Sequence, residues 1–269
     1  MVQSLSQMNY LLGAPFDGTA CFRPGARFGP QAIRFWSDVL DTYSRPFDAD
    51  LEDVKLADGG DLGIHSADWE GASGRIYQEV DEIVGGGAAP IILGGEHLVT
   101  LPAVQACVSH FPDLVVLQMD AHMDLRDQYE GLKLSHATVM KRVMETVGPD
   151  SLLQYGVRSG TRDEWALSDE KGTLVDEIGR VEEIVGGRPV YLSVDLDVLD
   201  PSVMPETGAP EPGGMTYREL HEALITLRGI NIVGGDVVES CPMPGWGGPS
   251  GAVAAKVVRE LIFLCSEGR

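Results

Sequence analysis

Apolar residues gather in short runs that end in turn residues: "YLLGAP", "APIILGGEH", "LVVLQMDAH", "SLLQYGVRS", "RPVYLSVDLD" and "INIVGGDVVES". Within each run the apolar positions are consecutive rather than alternating, as in a strand buried on both faces of a parallel sheet. Between them the polar and apolar positions take on a helical spacing, predicting helices at 67–84, 98–110, 135–147, 174–185, 216–227 and 250–265. Strand and helix alternate throughout, so the expected fold class is α/β, with a doubly wound, mainly parallel sheet between helices. Neither a charge run nor a Ser/Pro-rich linker divides the chain, and one domain over 1–269 is expected. The longest irregular stretch, 195–214, is rich in proline and glycine, and a loop of that length inside a compact domain is usually functional.

In an open parallel sheet, ligands bind beyond the carboxyl ends of the strands. The polar residues of interest fall at those ends. His97 follows "IILGGE"; Asp120, His122 and Asp124 follow "LVVLQM"; Asp195 and Asp197 follow "VYLSV"; Glu239 follows "GGDVV". If the chain leaves the sheet extended, a period of two throws Asp120, His122 and Asp124 to one side, and Asp195 and Asp197 repeat the pattern. So many carboxylates in one crevice repel one another unless cations neutralise them. Carboxylate and imidazole without thiolate suit manganese, zinc, iron or cobalt, and a carboxylate-dominated set leans toward manganese. Four aspartates and two histidines exceed one tetrahedral ion, and a pair of ions roughly 3.5–4 Å apart accommodates them. Each motif alone has a plainer alternative. The acids would cap helices and the histidines would be satisfied polar groups; it is their joint occurrence at successive strand ends that favours metal.

Composition adjusts this picture only slightly. A net charge of −21 disfavours nucleic acid and anionic membrane as partners and agrees with a cationic substrate. The first ten residues lack the pattern of a leader and no run approaches a membrane span, so a cytoplasmic location is expected. Cys21, Cys107, Cys241 and Cys265 are too scattered for a zinc knuckle or a disulfide framework. His65, His110 and His221 do not stand in such a strand-end motif and read as structural or surface residues. Dinucleotide, Walker A, zincin and nucleophile-elbow motifs are all missing.

"GGEHLVT" (94–100), "DAHMDLRD" (120–127), "SVDLDVLDPSVMPETGAPEPGG" (193–214) and "DVVES" (236–240) together resemble the signature blocks of the ureohydrolases, the arginase and agmatinase family. "APFDGTACFRPGARFGPQAIR" (14–34) is similar to their N-terminal segment. The resemblance spans nearly the whole chain, and it implies a three-layer α/β/α sandwich, two Mn2+ ions per chain and a homo-oligomer, trimer or hexamer. It implies that one ion is held by His97, Asp120, Asp124 and Asp195 and the other by His122, Asp120, Asp195 and Asp197, with a hydroxide between them attacking a guanidinium carbon. Glu239 would bind the guanidinium, His136 would carry protons, and Asp197 would donate to the leaving amine.

The resemblance also bears on the substrate. Arginase-like members place an asparagine two positions beyond the last aspartate of the metal motif; here Arg126 stands there, more like the bacterial and archaeal agmatinases. Agmatine, cleaved to putrescine and urea, is therefore the expected substrate. Arginine, guanidinobutyrate, guanidinopropionate and formiminoglutamate are alternatives, with Arg126 or Arg162 as the cation that a carboxylated compound would need. A single-zinc deacetylase and a non-catalytic polyamine-binding homologue are the rivals from other classes. "ESCPMPGWGG" departs from the family around Glu239, which leaves Cys241 and Trp246 without an assigned role.

Overall fold

The computed structural model describes residues 7–243 and 248–267. From the N-terminus run β1 (Met8–Ala14), α1 (Gly29–Ser37), the short strands β2 (Tyr43–Ser44) and β3 (Ala49–Asp50), β4 (Leu56–Asp61), α2 (Trp69–Gly85) and β5 (Ala88–Gly94). There follow α3 (Thr100–His110), β6 (Val115–Met119), α4 (Val139–Val147), β7 (Leu152–Tyr155), α5 (Arg162–Lys171) and α6 (Val181–Val185). Last come β8 (Val190–Asp195), α7 (Tyr217–Thr226), β9 (Ile232–Val238) and α8 (Pro249–Glu267).

Seven strands form one sheet in the order β4-β1-β5-β9-β8-β6-β7, and every neighbouring pair is parallel. The consecutive apolar runs are explained by two cores, one on each face. Leu117, Met119, Leu192 and Val194 pack with α1, α6, α7 and α8, while Val116 and Tyr191 turn the other way to pack with α2, α3 and α4. This is the expected three-layer sandwich, with period-two alternation hidden because both faces are dry.

The expected elements are found, with some differences. At 174–185 there is no single helix: Leu174 is bridged to Gln154, and only Val181–Val185 is α-helical. Helices α1 and α5 and the strand β4 lie outside the expected set. Strand β4, "LADGGD", is a polar edge strand with a Gly-Gly pair, so its composition reads as a turn although it pairs with β1.

The topology places the candidate chemistry. Strands β5, β9, β8 and β6 are adjacent, and Leu93, Val237, Val194 and Met119 lie in one register row across them. Their next few residues therefore emerge together at the carboxyl edge. No helix among the described residues is long and apolar enough to cross a membrane.

Candidate metal centre

His97 reaches the carboxyl edge through Gly95, where a Cβ would lie only 1.8 Å from the Phe16 carbonyl oxygen. Its Nδ1 lies 3.1 Å from Asp120 Oδ2, 3.1 Å from Asp124 Oδ2 and 3.3 Å from Asp195 Oδ2. On the other side of Asp120, His122 Nδ1 is 2.9 Å from Asp197 Oδ2 and 3.6 Å from Asp120 Oδ1. Two acid–imidazole groups result, His97/Asp120/Asp124 and Asp120/His122/Asp197, each compact enough to hold an ion. They share Asp120, and Asp195 adjoins both through His97 Nδ1 and through its hydrogen bond from Asp197 N, 2.8 Å.

The route to this convergence differs from the expected extended exit. β6 ends at Met119; Asp124 has φ 54°, on left-handed backbone, and Asp197 lies in a 3-10 turn over 196–198. Asp195 caps that turn, so the capping alternative and the metal reading describe the same residue.

The donor set fits a metal at His97. Its Nε2 lies 2.9 Å from Ser193 Oγ, whose own proton goes to Asp236 Oδ1 at 2.7 Å; Tyr191 Oη donates to Asp236 Oδ2 at 2.8 Å. Nε2 must therefore be the protonated nitrogen, leaving a lone pair on Nδ1 toward three carboxylates. That buried Nδ1 has no well-directed hydrogen bond in the protein.

Without an ion the charges are poorly matched. Burial and the neighbouring Asp120 push Asp124 up to about 7, and burial with Asp197 and Asp120 holds Asp195 well above the usual carboxylate range. Burial and Asp120 also raise Asp197. Burial opposes charge on the imidazoles too, yet the close approach of the acids raises His97 well above its ordinary value and pushes His122 up to about 12. For Asp120 burial is outweighed by His122 and His97, which bring it below its ordinary value.

Glu239 also stands on left-handed backbone, φ 63°, and its Oε1 accepts the His97 amide at 2.9 Å. Burial, then the charge of Glu96, pushes it up to about 8. Gly208, from the irregular stretch, borders this carboxylate: a Cβ there would sit 2.6 Å from Glu239 Oε2. Asp124, His122, His136, Asp195, Asp197 and Glu239 all line one cleft. His136 begins a 3-10 turn capped by Ser135, and burial pulls its imidazole down to about 4.

Residues to which the sequence reading gave no role also line the wall, among them Cys21 and Arg23 from the N-terminal segment, Tyr129, Glu164, Gly208 and Ala209. Arg126 lies over the Tyr129 ring, 4.8 Å from its centroid, with Nε 3.5 Å from Glu164 Oε2. Arg162 does not line the cleft. Cys241 also faces elsewhere, its thiol against the carbonyls of Arg23 and Pro24. Trp246 lies outside the described residues. His110 pairs with Asp81 at 2.8 Å, His221 stacks on Tyr217, and His65 Nδ1 accepts from Ala67 N, all apart from the cleft.

A parallel α/β sheet carrying acid–imidazole groups able to hold metal at its carboxyl edge is an arrangement suited to metal-assisted hydrolysis. The family model of the arginase family matches residues 8–264, and the chain belongs to that family. It is 38% identical over 261 residues to the agmatinase of Bacillus anthracis, covering 94% of this chain and 90% of that one. The mitochondrial guanidino acid hydrolase of Homo sapiens is 32% identical, over 93% of this chain and 76% of its own. A Clostridium difficile protein solved as a candidate agmatinase superposes with a TM-score of 0.90 at 43% identity, covering 97% of this chain and 98% of that one. Within the family the chain is an agmatinase-like ureohydrolase.

Proposed function

We propose that the chain hydrolyses agmatine to putrescine and urea at a pair of manganese ions. One ion would be held by His97, Asp120, Asp124 and Asp195, the other by His122, Asp120, Asp195 and Asp197. The observation that carries the reading is the pair of acid–imidazole groups sharing Asp120 in the cleft that Glu239 lines. When bound, such a pair neutralises the carboxylates and supplies an acidified water near neutral pH.

The protein's own residues do the rest. Glu239, a planar carboxylate, pairs with the fork of a guanidinium and orients its central carbon toward the metal groups. A cation there also favours the ionised form of an acid that burial pushes up to about 8. His136 stays neutral near pH 7, so it has a lone pair with which to take a proton and pass it to the leaving amine nitrogen. Asp197 is the second donor to that nitrogen as the C–N bond breaks. The reading carries with it a cytoplasmic location and a trimeric or hexameric assembly.

One observation favours a second substrate. Arg23 and Arg126 both line the cleft, while Glu164 is engaged by Arg126 and by the amides of Leu125 and Thr161. Two guanidinium groups would suit a carboxylate tail, as in 4-guanidinobutyrate. Urea release from manganese-loaded protein with agmatine, arginine and 4-guanidinobutyrate decides between them. Agmatine should give the highest kcat/KM. Preference for the guanidino acid would transfer the substrate assignment to the arginines, and urea from none of the three would overturn the proposal. Asp120→Asn should remove turnover and bound metal together, because it disrupts both groups.

A further inference from the structure

The loop after β1 reaches across to His136 through one hydroxyl. Thr19 Oγ1 lies 3.0 and 2.9 Å from the two carboxylate oxygens of Glu96, and Thr19 N donates to Glu96 Oε1 at 2.9 Å. The same Oγ1 accepts the His136 amide at 3.2 Å and lies 3.4 Å from His136 Nδ1. Glu96 is fully buried, and its Oε2 is 3.8 Å from Nδ1, beyond direct hydrogen-bond reach. On the opposite side of the ring, His136 Nε2 is 3.4 Å from Cys21 Sγ, and both residues line the cleft.

We infer that Thr19, anchored by Glu96, is a positioning residue that fixes the tautomer of His136. A threonine hydroxyl has one proton to give. While Glu96 is ionised, that proton is directed to its carboxylate and Oγ1 can only accept from the ring, so Nδ1 carries hydrogen and the lone pair falls on Nε2. Nε2 is the nitrogen beside Cys21. The Tyr129 ring, edge-on to the imidazole with centroids 5.5 Å apart, limits the ring's rotation. The arrangement mirrors the one at His97, where Ser193 and Asp236 set the opposite tautomer. Two histidines of one cleft are thus preset for different tasks, one for a lone pair at Nδ1 and one for a lone pair at Nε2.

The use to which the Nε2 lone pair is put rests on the proposed function; the tautomer itself does not. The test therefore has two arms. In zinc-loaded protein, which is diamagnetic, 15N spectra of labelled histidine identify the His136 signals by their loss in His136→Asn. They should show protonated Nδ1 and unprotonated Nε2 in the wild type, and a mixture or the reverse in Thr19→Val. In manganese-loaded protein, Thr19→Val should lower kcat about 10- to 100-fold and alter its pH profile, with KM and metal content within about 2-fold. Thr19→Ser, which keeps the hydroxyl, should restore both readouts. Protonated Nε2 in the wild type would overturn the inference, as would Thr19→Val with wild-type spectra and kcat, or a loss that Thr19→Ser does not restore. If the wild type releases no urea from any guanidino compound, the proposed function fails while the spectra still decide the tautomer.

Discussion

Asp124 and Glu239 both occupy left-handed backbone, a conformation that costs a residue with a side chain about 1–3 kcal/mol and is retained where the surroundings demand it. Here the demand is visible. The Asp124 carbonyl accepts from Lys141 N at 3.1 Å, and Glu239 N donates to the Gly95 carbonyl at 2.9 Å, so each twist is tied to a neighbouring segment. "DAHMD" discloses candidate ligand types by spacing, yet the spacing brings the acids together for a reason other than a straight strand. Side-chain chemistry is legible in sequence; a positive φ at an aspartate is not. The support behind His97 was equally hidden, because Ser193 and Asp236 read only as strand residues. Ser193→Ala should weaken metal binding about 10- to 100-fold by freeing the ring to change tautomer. Competition with a chelator measures this, and an unchanged affinity would show that Ser193 does not orient the ligand.

At the level of elements, the strands that carry site residues were the easiest to read, because burial on both faces leaves unbroken apolar runs. Elements partly open to solvent were harder. Helix α5 carries its own start signal, Thr161 with Glu164 three residues later, and the structure has both halves of that capping box. Its face is mostly polar, so periodicity alone missed it. The 195–214 stretch was recognisable as functional but not the side chain that secures it. Arg158 donates to the carbonyls of Asp197 and Glu211, each at 2.7 Å, and to those of Val198 at 3.1 Å and Pro212 at 3.2 Å. Both ends of the stretch are thereby tied to the segment that follows β7, and Asp197 is held at its backbone. Arg158→Met keeps much of the stem but strands those carbonyls, and should cost about 2–4 kcal/mol in stability. Urea melts of the metal-loaded protein would reveal it. A change under about 0.5 kcal/mol would mean that solvent replaces the clamp without loss.

For the molecule as a whole, the centre is a concentration of charge that folding must tolerate in a chain already at −21. In the metal-free protein Asp124 and Glu239 are pushed up to about 7 and 8, while His122 is pushed up to about 12. All three shifts are upward, so between the unfolded and folded values the folded chain binds more protons than the unfolded one. Stability then falls as pH rises, from about 4 to 8 for the acids and above about 6.5 for the imidazole. An ion bound there would take the place of those protons, and its binding would strengthen as they leave. The gap in Tm between manganese-loaded and chelated protein should therefore widen from pH 6 to pH 8. Free ion at about 100 times its Kd adds roughly 2.7 kcal/mol, which corresponds to roughly 5–10 °C in a chain of this size. Paired thermal melts at the two pH values test the sign directly. A gap that narrows toward pH 8 would mean that the buried acids and imidazoles are not what the metal neutralises.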